Sequence, residues 1–303
     1  MFINKNMERK LVKQGASTIM VSLPAKWIRK FDLKKGDSIN LREKDNRILI
    51  FPKEKEEKLE TKIKLRGLTE SSIRTLITNT YRRGYDKIDV KFENKKQFQL
   101  LKTVVKTRLI GFEVVEKKKK SCVVENITEP STDKFKPLLN KVFMNISSLF
   151  EITKEKMAGE EAKENYEEVE ERIQKYDNFC RRVIFKKKHK GEDSEMFWTF
   201  LTLLIHGQRE IYHLNKLIRK KKVSKKTIDL LDKSKKIFEL IHKSFKNEDI
   251  SPLSKVHKIE KEAIYKEGFD LLKTKKENPI IYHILLSIRE FYQSNSPLTG
   301  LIL

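Results

Sequence analysis

The stretch that decides the fold is RKLVKQGASTIMVSLPAKWIRKFDLKKGDSINLREKDNRILIFP, residues 9–52. Apolar and polar residues alternate on both sides of Gly15, which predicts two short strands joined by a turn. Pro24 then opens the amphipathic stretch PAKWIRKFDL, which predicts a short helix. A tight turn at Gly36-Asp37 precedes SINLREKDNRILIF, which predicts a hairpin about Asp45-Asn46. The pattern indicates a small β-rich domain that contains one short helix.

The positive charge of the chain is concentrated at its N-terminus. The 303 residues carry a formal net charge of +24. Residues 1–53 hold 13 Lys or Arg against 5 Asp or Glu, residues 54–131 hold 19 against 12, and residues 132–303 hold 35 against 26. A compositional bias toward lysine would add cations evenly along the chain, whereas a nucleic-acid-binding surface is concentrated. The gradient therefore favours an anion-binding N-terminal segment over a generally adhesive protein.

The charged run from Lys53 to Glu60 is predicted to be a linker. A different sequence pattern begins after it. Residues 61–128 alternate between strand and helix signals in the order βαβαββ, which predicts a small α/β domain with one sheet. Thr69 is expected to cap the first of these helices and Gly84 to end it. The glycines stand singly at element ends, so no phosphate-binding loop is predicted.

After Pro130 the strand signals vanish, and apolar residues recur at spacings of three and four. Short connections between the periodic segments favour antiparallel helical bundles, with six helices in two sets of three. The helices are predicted at 133–157, 163–188, 194–222, 224–247, 250–274 and 278–298. We therefore expect a multidomain α+β protein with domains at 1–53, 61–128 and 133–303.

Several features predict an intracellular, cytoplasmic protein without membrane insertion. The isolated Cys122 and Cys180 form neither a disulfide framework nor a zinc motif. The start, MFINKNMERK, lacks the apolar core of a signal peptide. The longest apolar run, FWTFLTLLI at 197–205, is far shorter than the roughly 20 residues that span a bilayer.

The order of pieces in residues 9–52 resembles the AbrB/SpoVT swapped-hairpin family. The basic first strand, VSLPxxW at 21–27, LxxGDxI at 33–39 and the last hairpin ending at Pro52 carry the resemblance. It implies a homodimer that interleaves its hairpins and binds double-stranded DNA. A lone segment of this length buries too little surface to be stable, which favours pairing on physical grounds too. The expected shared core is Ile19, Val21, Leu23, Trp27, Leu33, Ile39, Leu41, Ile48 and Ile50.

The resemblance implies a DNA-facing surface built from the first strand and the helical turn. The matching cations are Arg9, Lys10, Lys13, Lys26, Arg29 and Lys30. Arg9 and Arg29 are the stronger candidates, because a guanidinium binds phosphate or guanine edges through two hydrogen bonds. For any single lysine the alternative is a solvated surface charge. Trp27 could stack on a base, but its apolar neighbours favour a place in the core.

The whole-chain order, with LRGLTESSIRTLITNTYRRGYDKIDV at 65–90 and IGFEVVE at 110–116, resembles archaeal PhoU-type phosphate-uptake regulators. That resemblance implies carboxylate metal motifs in the helical region. Gln208 and Tyr212 stand at the carboxylate positions in the first repeat, Tyr292 and Ser296 in the second, and Gln174 replaces an aspartate. Neutral side chains do not supply the charge that a hard divalent cation requires, so we expect no metal and no cofactor.

Other charged groups have simple alternatives. His206, Glu210 and His213 fall at i, i+4 and i+7 and superficially resemble a ligand set, but we expect them on the surface. The acidic run between Glu160 and Glu171 is expected to be a solvated face that pairs with lysine-rich helices. The run Lys117–Lys120 is expected at a hairpin tip, where it either contacts DNA or only solubilises the turn.

No nucleophile elbow, phosphate-binding loop or paired catalytic carboxylate is present in the sequence, so we expect no enzyme. The leading hypothesis is a transcription regulator that binds duplex DNA as a dimer and is linked to phosphate homeostasis, with a possible protein partner at the helical bundle. The alternative is a PhoU-like signalling adaptor for a phosphate transporter or sensor kinase, in which the head only dimerises. An antitoxin-like autoregulator is a third hypothesis, which the long helical half disfavours.

Overall fold

A computed structural model describes residues 8–15, 17–44, 47–52, 58–128, 130–187, 194–218, 223–274 and 276–303. The chain forms two compact units, Met1–Glu57 and Lys58–Leu303, which together give a mixed α+β composition. The expected turn at Asp45-Asn46 and most of the expected linker lie outside the described residues. The division of residues 61–128 and 133–303 into separate domains stays a prediction, and both stretches lie in the second compact unit.

The first unit consists of two hairpins and a short helix. Gly15 has φ +71°, a left-handed conformation that glycine adopts without strain, where the first hairpin turns. Pro24 precedes the helix, and its carbonyl accepts hydrogen bonds from the N–H groups of Trp27 and Ile28. The predicted order of strands and helix is confirmed. The elements are β1 (Val12–Gln14), β2 (Thr18–Met20), α1 (Ala25–Lys30), β3 (Ile39–Lys44) and β4 (Arg47–Pro52).

The second unit begins with the βαβαββ order that the sequence predicts. Thr69 caps the first helix, because its hydroxyl accepts a hydrogen bond from the N–H of Ser72. Gly84, with φ +83°, follows the end of that helix as expected. The elements are β5 (Glu60–Lys64), α2 (Glu70–Arg82), β6 (Lys87–Lys91), α3 (Lys95–Arg108), β7 (Phe112–Lys117) and β8 (Ser121–Asn126).

These four strands form one sheet in the order β5-β6-β8-β7. β5 runs parallel to β6, and the other two pairs are antiparallel. Because side chains alternate between faces of a sheet, every second residue joins the core beneath α2 and α3. Ile88, Val90 and Val124 are buried there with Ile77 of α2 and Leu101 of α3. The intervening residues lie on the opposite face and remain exposed or half-buried.

The rest of the second unit is helical, as the apolar periodicity predicts. Its elements are α4 (Phe135–Ala158), α5 (Tyr166–Lys187), α6 (Ser194–Leu217), α7 (Lys225–Asn247), α8 (Leu253–Glu262), a π-helical segment (Ala263–Gly268), α9 (Phe269–Lys273), α10 (Asn278–Gln293) and α11 (Asn295–Ile302). The predicted last helix is therefore interrupted at Ser294. Pro297 has no N–H to donate to the carbonyl of Gln293, four residues earlier, which favours this break.

Helix α5 makes the polar contacts that join the helical region to the sheet layer. Arg182 is fully buried and donates to the carbonyls of Tyr81 and Tyr85, both at 2.8 Å, and to the Asp86 carboxylate at 2.5 Å. Its guanidinium also lies 5.0 Å from the ring centre of Phe112. A buried guanidinium needs a full set of acceptors. The sheet layer supplies these acceptors, so the two layers are joined by paired polar groups as well as by apolar contact.

The acidic run before and within α5 is not wholly solvated, contrary to the expectation from the sequence. Glu170 is only 8% exposed and pairs with Arg108 of α3 at 3.0 Å. Burial raises the pKa of the Glu170 carboxyl, and the charge of Arg108 acts in the opposite direction. This carboxylate thus joins the contact between α5 and the sheet layer rather than pairing with a lysine-rich helix.

No helix in the described ranges is long and apolar enough to cross a membrane.

Candidate nucleic-acid interface

None of the first unit's described residues is buried in the single chain. Among the expected core residues, Leu41 and Ile48 are 65% and 69% exposed, and Ile19 is 65% exposed. Val21 is also exposed, and the others are half-buried: Leu23, Trp27, Leu33, Ile39 and Ile50. A water-soluble domain rarely leaves so many large aliphatic side chains uncovered together. The surface that a partner would cover is thus present in one chain.

The register of the second hairpin gathers these side chains on one face. Leu41 lies opposite Ile50, and Ile39 lies opposite Pro52. Cross-strand pairs point to the same side of a hairpin, and alternate pairs share that side. The pair of Glu43 with Ile48 therefore continues the same face. The result is an aliphatic stripe, which we call the hairpin stripe (Ile39, Leu41, Ile48 and Ile50).

The short helix carries the second group of expected DNA contacts. Lys26, Arg29 and Lys30 are exposed and fall at i, i+3 and i+4, so they share one face of α1. Trp27 is half-buried, and its ring centre lies 5.3 Å from that of Phe31. The ammonium of Lys30 lies 5.3 Å from the same Phe31 ring. Packing of the two aromatic rings thus leaves the three cations directed outward.

The first group of expected contacts lies at the start of the chain. Lys13 is in β1 opposite Ile19, whereas Arg9 and Lys10 precede β1 in a segment without regular secondary structure. All three are exposed. Within the described part of the chain, no carboxylate pairs with any of these three or with the three cations of α1.

The positions compared with carboxylate metal motifs hold no ligand set. Gln208 is fully buried, and neither of its amide atoms has a hydrogen-bond partner in the described structure. Tyr212 packs on Tyr166 with 5.7 Å between ring centres. Tyr292 is half-buried, and Ser296 is exposed in α11. Among the described residues, no group of three or more His, Cys, Asp or Glu side chains could hold a metal ion; the expectation of no cofactor stays a prediction.

Two histidine–carboxylate pairs join α6 to α10. Nδ1 of His283 lies 2.7 Å from a carboxylate oxygen of Glu210. Nδ1 of His206 lies 3.7 Å from Glu290. Burial lowers the pKa of His213, and the nearby Glu210 acts in the opposite direction. The sequence spacing could not reveal these pairs, since their members lie on helices far apart in the chain.

The family comparison matches the first unit. Residues 12–58 match the model of a family described as antidote-toxin recognition MazE, bacterial antitoxin. No curated protein and no solved structure shows significant similarity to the chain. The match supports the expected swapped-hairpin head of the DNA-binding type at the N-terminus. The resemblance of the second unit to PhoU-type proteins stays a prediction.

Proposed function

We propose that the chain is a transcriptional regulator that binds duplex DNA as a homodimer through its first unit. One observation carries the proposal: the first unit exposes both an aliphatic face and unpaired cations, while none of its described residues is buried. An exposed aliphatic face is stabilised when a protein partner buries it, and unpaired cations are stabilised when they bind an anion. A dimer that binds DNA satisfies both.

The hairpin stripe favours pairing with a second copy of the chain. Covering one isoleucine or leucine side chain contributes about 1.5–3 kcal/mol, and each of two chains would contribute its own stripe. Every strand of the two hairpins also has an open edge in the single chain, since each hairpin is a separate two-stranded sheet. Interleaved hairpins would pair those edges as well. Both features support the swapped-hairpin arrangement that the resemblance implies.

The proposed mode of DNA binding is electrostatic docking of a two-fold basic surface. Arg9, Lys10 and Lys13 would come from one segment of each chain, and Lys26, Arg29 and Lys30 from its helix. Contacts to phosphate position a protein on the duplex, while contacts to base edges supply sequence preference. Arg9 and Arg29 are the side chains best suited to either contact, because a guanidinium donates two parallel hydrogen bonds.

The second unit is proposed to receive a signal or a protein partner, without catalysis, metal or cofactor. Its buried clusters and paired ions support a rigid body more readily than a reaction centre. Regulation linked to phosphate follows only from the resemblance to PhoU-type proteins.

A titration of duplex DNA over rising salt tests the proposal. The logarithm of the binding constant should fall linearly with the logarithm of salt, with a slope of about −0.9 per phosphate contact. The Arg9→Ala/Arg29→Ala double variant should weaken binding and flatten the slope, while the chain stays dimeric. The matched control is Lys34→Ala/Lys35→Ala, which removes the same charge from exposed residues of the same unit.

Two results would count against DNA binding by the head. Absence of measurable binding to any duplex at low salt would rule out the regulator. Equal retention of the Arg9→Ala/Arg29→Ala variant and the parent chain on duplex and heparin columns, with an intact dimer, would favour the signalling adaptor, in which the head only dimerises.

An antitoxin that regulates its own synthesis is the second candidate, and the family match favours it. An antitoxin would form a stoichiometric complex with a toxic protein, and its depletion would arrest growth of the source cell. Depletion without growth arrest would exclude this candidate and leave the DNA-binding proposal intact. The 246 residues of the second unit, Lys58–Leu303, are the feature that this candidate leaves without a role.

A further inference from the structure

The uncovered face of the four-stranded sheet carries a row of lysines. Lys64 on β5 lies opposite Lys91 on β6, and Lys91 lies opposite Ser121 on β8. The N–H of Lys118, just past the end of β7, donates to the carbonyl of Ser121 at 2.8 Å. Residues in register across neighbouring strands share a face. Lys64, Lys91 and Lys118, with Ser121 between two of them, therefore form one row across the sheet, which we call the lysine row.

The lysine row borders a shallow groove of about 330 Å³. The next row of the same face holds Lys62, Asp89, Val123 and Glu116, which is one cation against two carboxylates. Positive charge on this face is therefore concentrated at one end of the strands, beside the β7–β8 turn. The three ammonium groups of the lysine row are exposed there.

Three other cations of the sheet layer have partners, unlike the members of the lysine row. Lys58 pairs with Glu125 at 3.0 Å, and Lys87 lies 3.5 Å from Glu60. The ammonium of Lys117 lies 4.7 Å from the centre of the Phe98 ring, on the face that the helices cover. Within the described ranges, no carboxylate pairs with Lys64, Lys91 or Lys118. The sequence run Lys117–Lys120 does not distinguish Lys117 from Lys118, but the strand register does.

Like charges directly opposite one another destabilise a sheet. Lys64 and Lys91 are such a pair, and an anion bound between them would turn repulsion into attraction. The row crosses four strands, which spans about 14 Å at roughly 4.8 Å between strands. It lies in an open groove rather than an enclosed cavity, so it suits an extended chain of anionic groups better than a small ligand.

We propose that the lysine row binds the sugar-phosphate backbone of duplex DNA. The charge complementarity is that of a linear polyanion, and contacts to the phosphate backbone carry no sequence information, so the contribution of the row is independent of sequence. The inference rests on the proposed function in assuming that the chain meets DNA. It adds a contact surface in the second unit, separate from the cations of the first.

The test compares two triple variants of the full chain. Lys64→Gln/Lys91→Gln/Lys118→Gln removes the lysine row. The control, Lys95→Gln/Lys96→Gln/Lys102→Gln, removes the same charge from exposed positions of α3, which covers the opposite face. In duplex titrations over rising salt, the first variant should lose about 2–3 from the magnitude of the salt slope per contacting chain, at about 0.9 per phosphate. The control should keep the parental slope.

Both triples are then repeated in the Arg9→Ala/Arg29→Ala background, which separates the two surfaces. If loss of the lysine row lowers the salt slope but loss of Arg9 and Arg29 does not, this inference is upheld and DNA binding by the head is overturned. The reverse result overturns this inference and leaves the proposed function standing. Equal losses in the row variant and its α3 control also overturn it, since net charge alone would then suffice. Unchanged DNA binding together with row-dependent retention of polyglutamate would assign the row to an acidic protein and overturn the inference.

Discussion

The two units of the chain differ in how far they bury their aliphatic side chains. In the first unit, Ile48 is 69% exposed and none of the described residues is buried. In the second unit, Ile88 is 1% exposed beneath the helices of the sheet layer, and Phe143 is fully buried in the helical region. Apolar residues recur at regular spacings in both units, so the apolar pattern of the sequence does not explain the contrast in burial. The difference teaches that the second unit completes its core within one chain, whereas the described residues of the first unit leave their aliphatic side chains uncovered.

Element length gives the physical reason for the contrast. The strands of the first hairpin have three residues each, and α1 has six. The helices α4, α5 and α6 have 24, 22 and 24 residues. Isolated helices shorter than about 12 residues are marginal in water, and a lone hairpin is at best marginally stable. Packing against other elements stabilises long helices, and only the second unit supplies such packing within the chain.

The largest expected effect breaks the second unit. The replacement Arg182→Met leaves two backbone carbonyls and Asp86 without the buried guanidinium that donates to them. We therefore expect the free energy of unfolding of the second unit to fall by about 3–5 kcal/mol. Urea unfolding measures this through Trp198, after Trp27→Phe removes the other tryptophan of the chain. The control Arg172→Met removes the part-exposed pair with Glu164 and the hydrogen bond to Asn145, and it should cost about 1–2 kcal/mol. A cost for Arg182→Met no greater than the control would contradict the fastening role of Arg182.

The next effect tests the first unit. Ile48 and Met144 are 69% and 65% exposed in the single chain, so they are matched in exposure but lie in different units. Ile48→Asp should weaken the dimer by roughly 100-fold or more, since each chain loses about 1.5–3 kcal/mol of apolar burial. Met144→Asp, on the outer face of α4, should leave the dimer unchanged. Sedimentation over a range of concentrations measures both, and equal dimer constants for the two variants would refute pairing through the hairpin stripe.

A third prediction concerns acid. Burial acts to raise the pKa of Asp86, but the hydrogen bond and charge of Lys186, with the charge of Arg182, outweigh it and leave the pKa below its ordinary value. A carboxyl of lowered pKa stabilises the fold above its unfolded pKa of about 4, and that contribution is lost as the pH falls through the folded pKa. We therefore expect the free energy of unfolding of the second unit to decline below about pH 4.

Urea unfolding at pH 7 and at several values below pH 4 measures this decline. Asp86→Asn should make the decline shallower, because the titrating group is gone. The control is Asp229→Asn at an exposed position of α7, whose carboxylate makes no ion pair with any described residue. If Asp86→Asn and Asp229→Asn unfold with the same pH dependence, the acid sensitivity has another source.

The smallest expected effect is the loss of one helix cap. Thr69→Ala removes the hydroxyl that accepts from the N–H of Ser72, which should cost the second unit about 1 kcal/mol. Because the cap lies outside the first unit, dimerisation should be unaffected. Thr69→Ser, which retains a capping oxygen, should recover most of the loss in the same urea measurement. A dimer weakened by Thr69→Ala would show that the two units are not independent.

Local signals account for the part of the fold that the sequence predicts. The Thr69 cap, the glycine ends and the βαβαββ order each depend on residues close together in the chain, and all are confirmed. The pairing of Arg182 with Asp86 joins residues 96 positions apart, and nothing near Arg182 distinguishes it from its neighbour Arg181. The interruption at Ser294 had a local signal in Pro297, which the apolar periodicity on both sides concealed.

The candidate site divides in the same way. Exposure of Lys13 and of the three cations of α1 follows from strand alternation and helical spacing, which the sequence contains. The lysine row could not be predicted from the sequence, because its members come from three strands and a turn that only the sheet register aligns. The uncovered hairpin stripe is visible in the sequence as a set of apolar residues, but its lack of cover is a property of the folded chain.

The open hairpin stripe has a consequence for how the protein would respond to its own abundance. If two chains must meet before the first unit has a core, the concentration of paired heads rises with the square of the chain concentration whenever most chains are single. A twofold change in synthesis would then give about a fourfold change in DNA-competent heads in that regime. The fold would thus convert a modest change in gene dosage into a steeper change in occupancy, without an effector molecule.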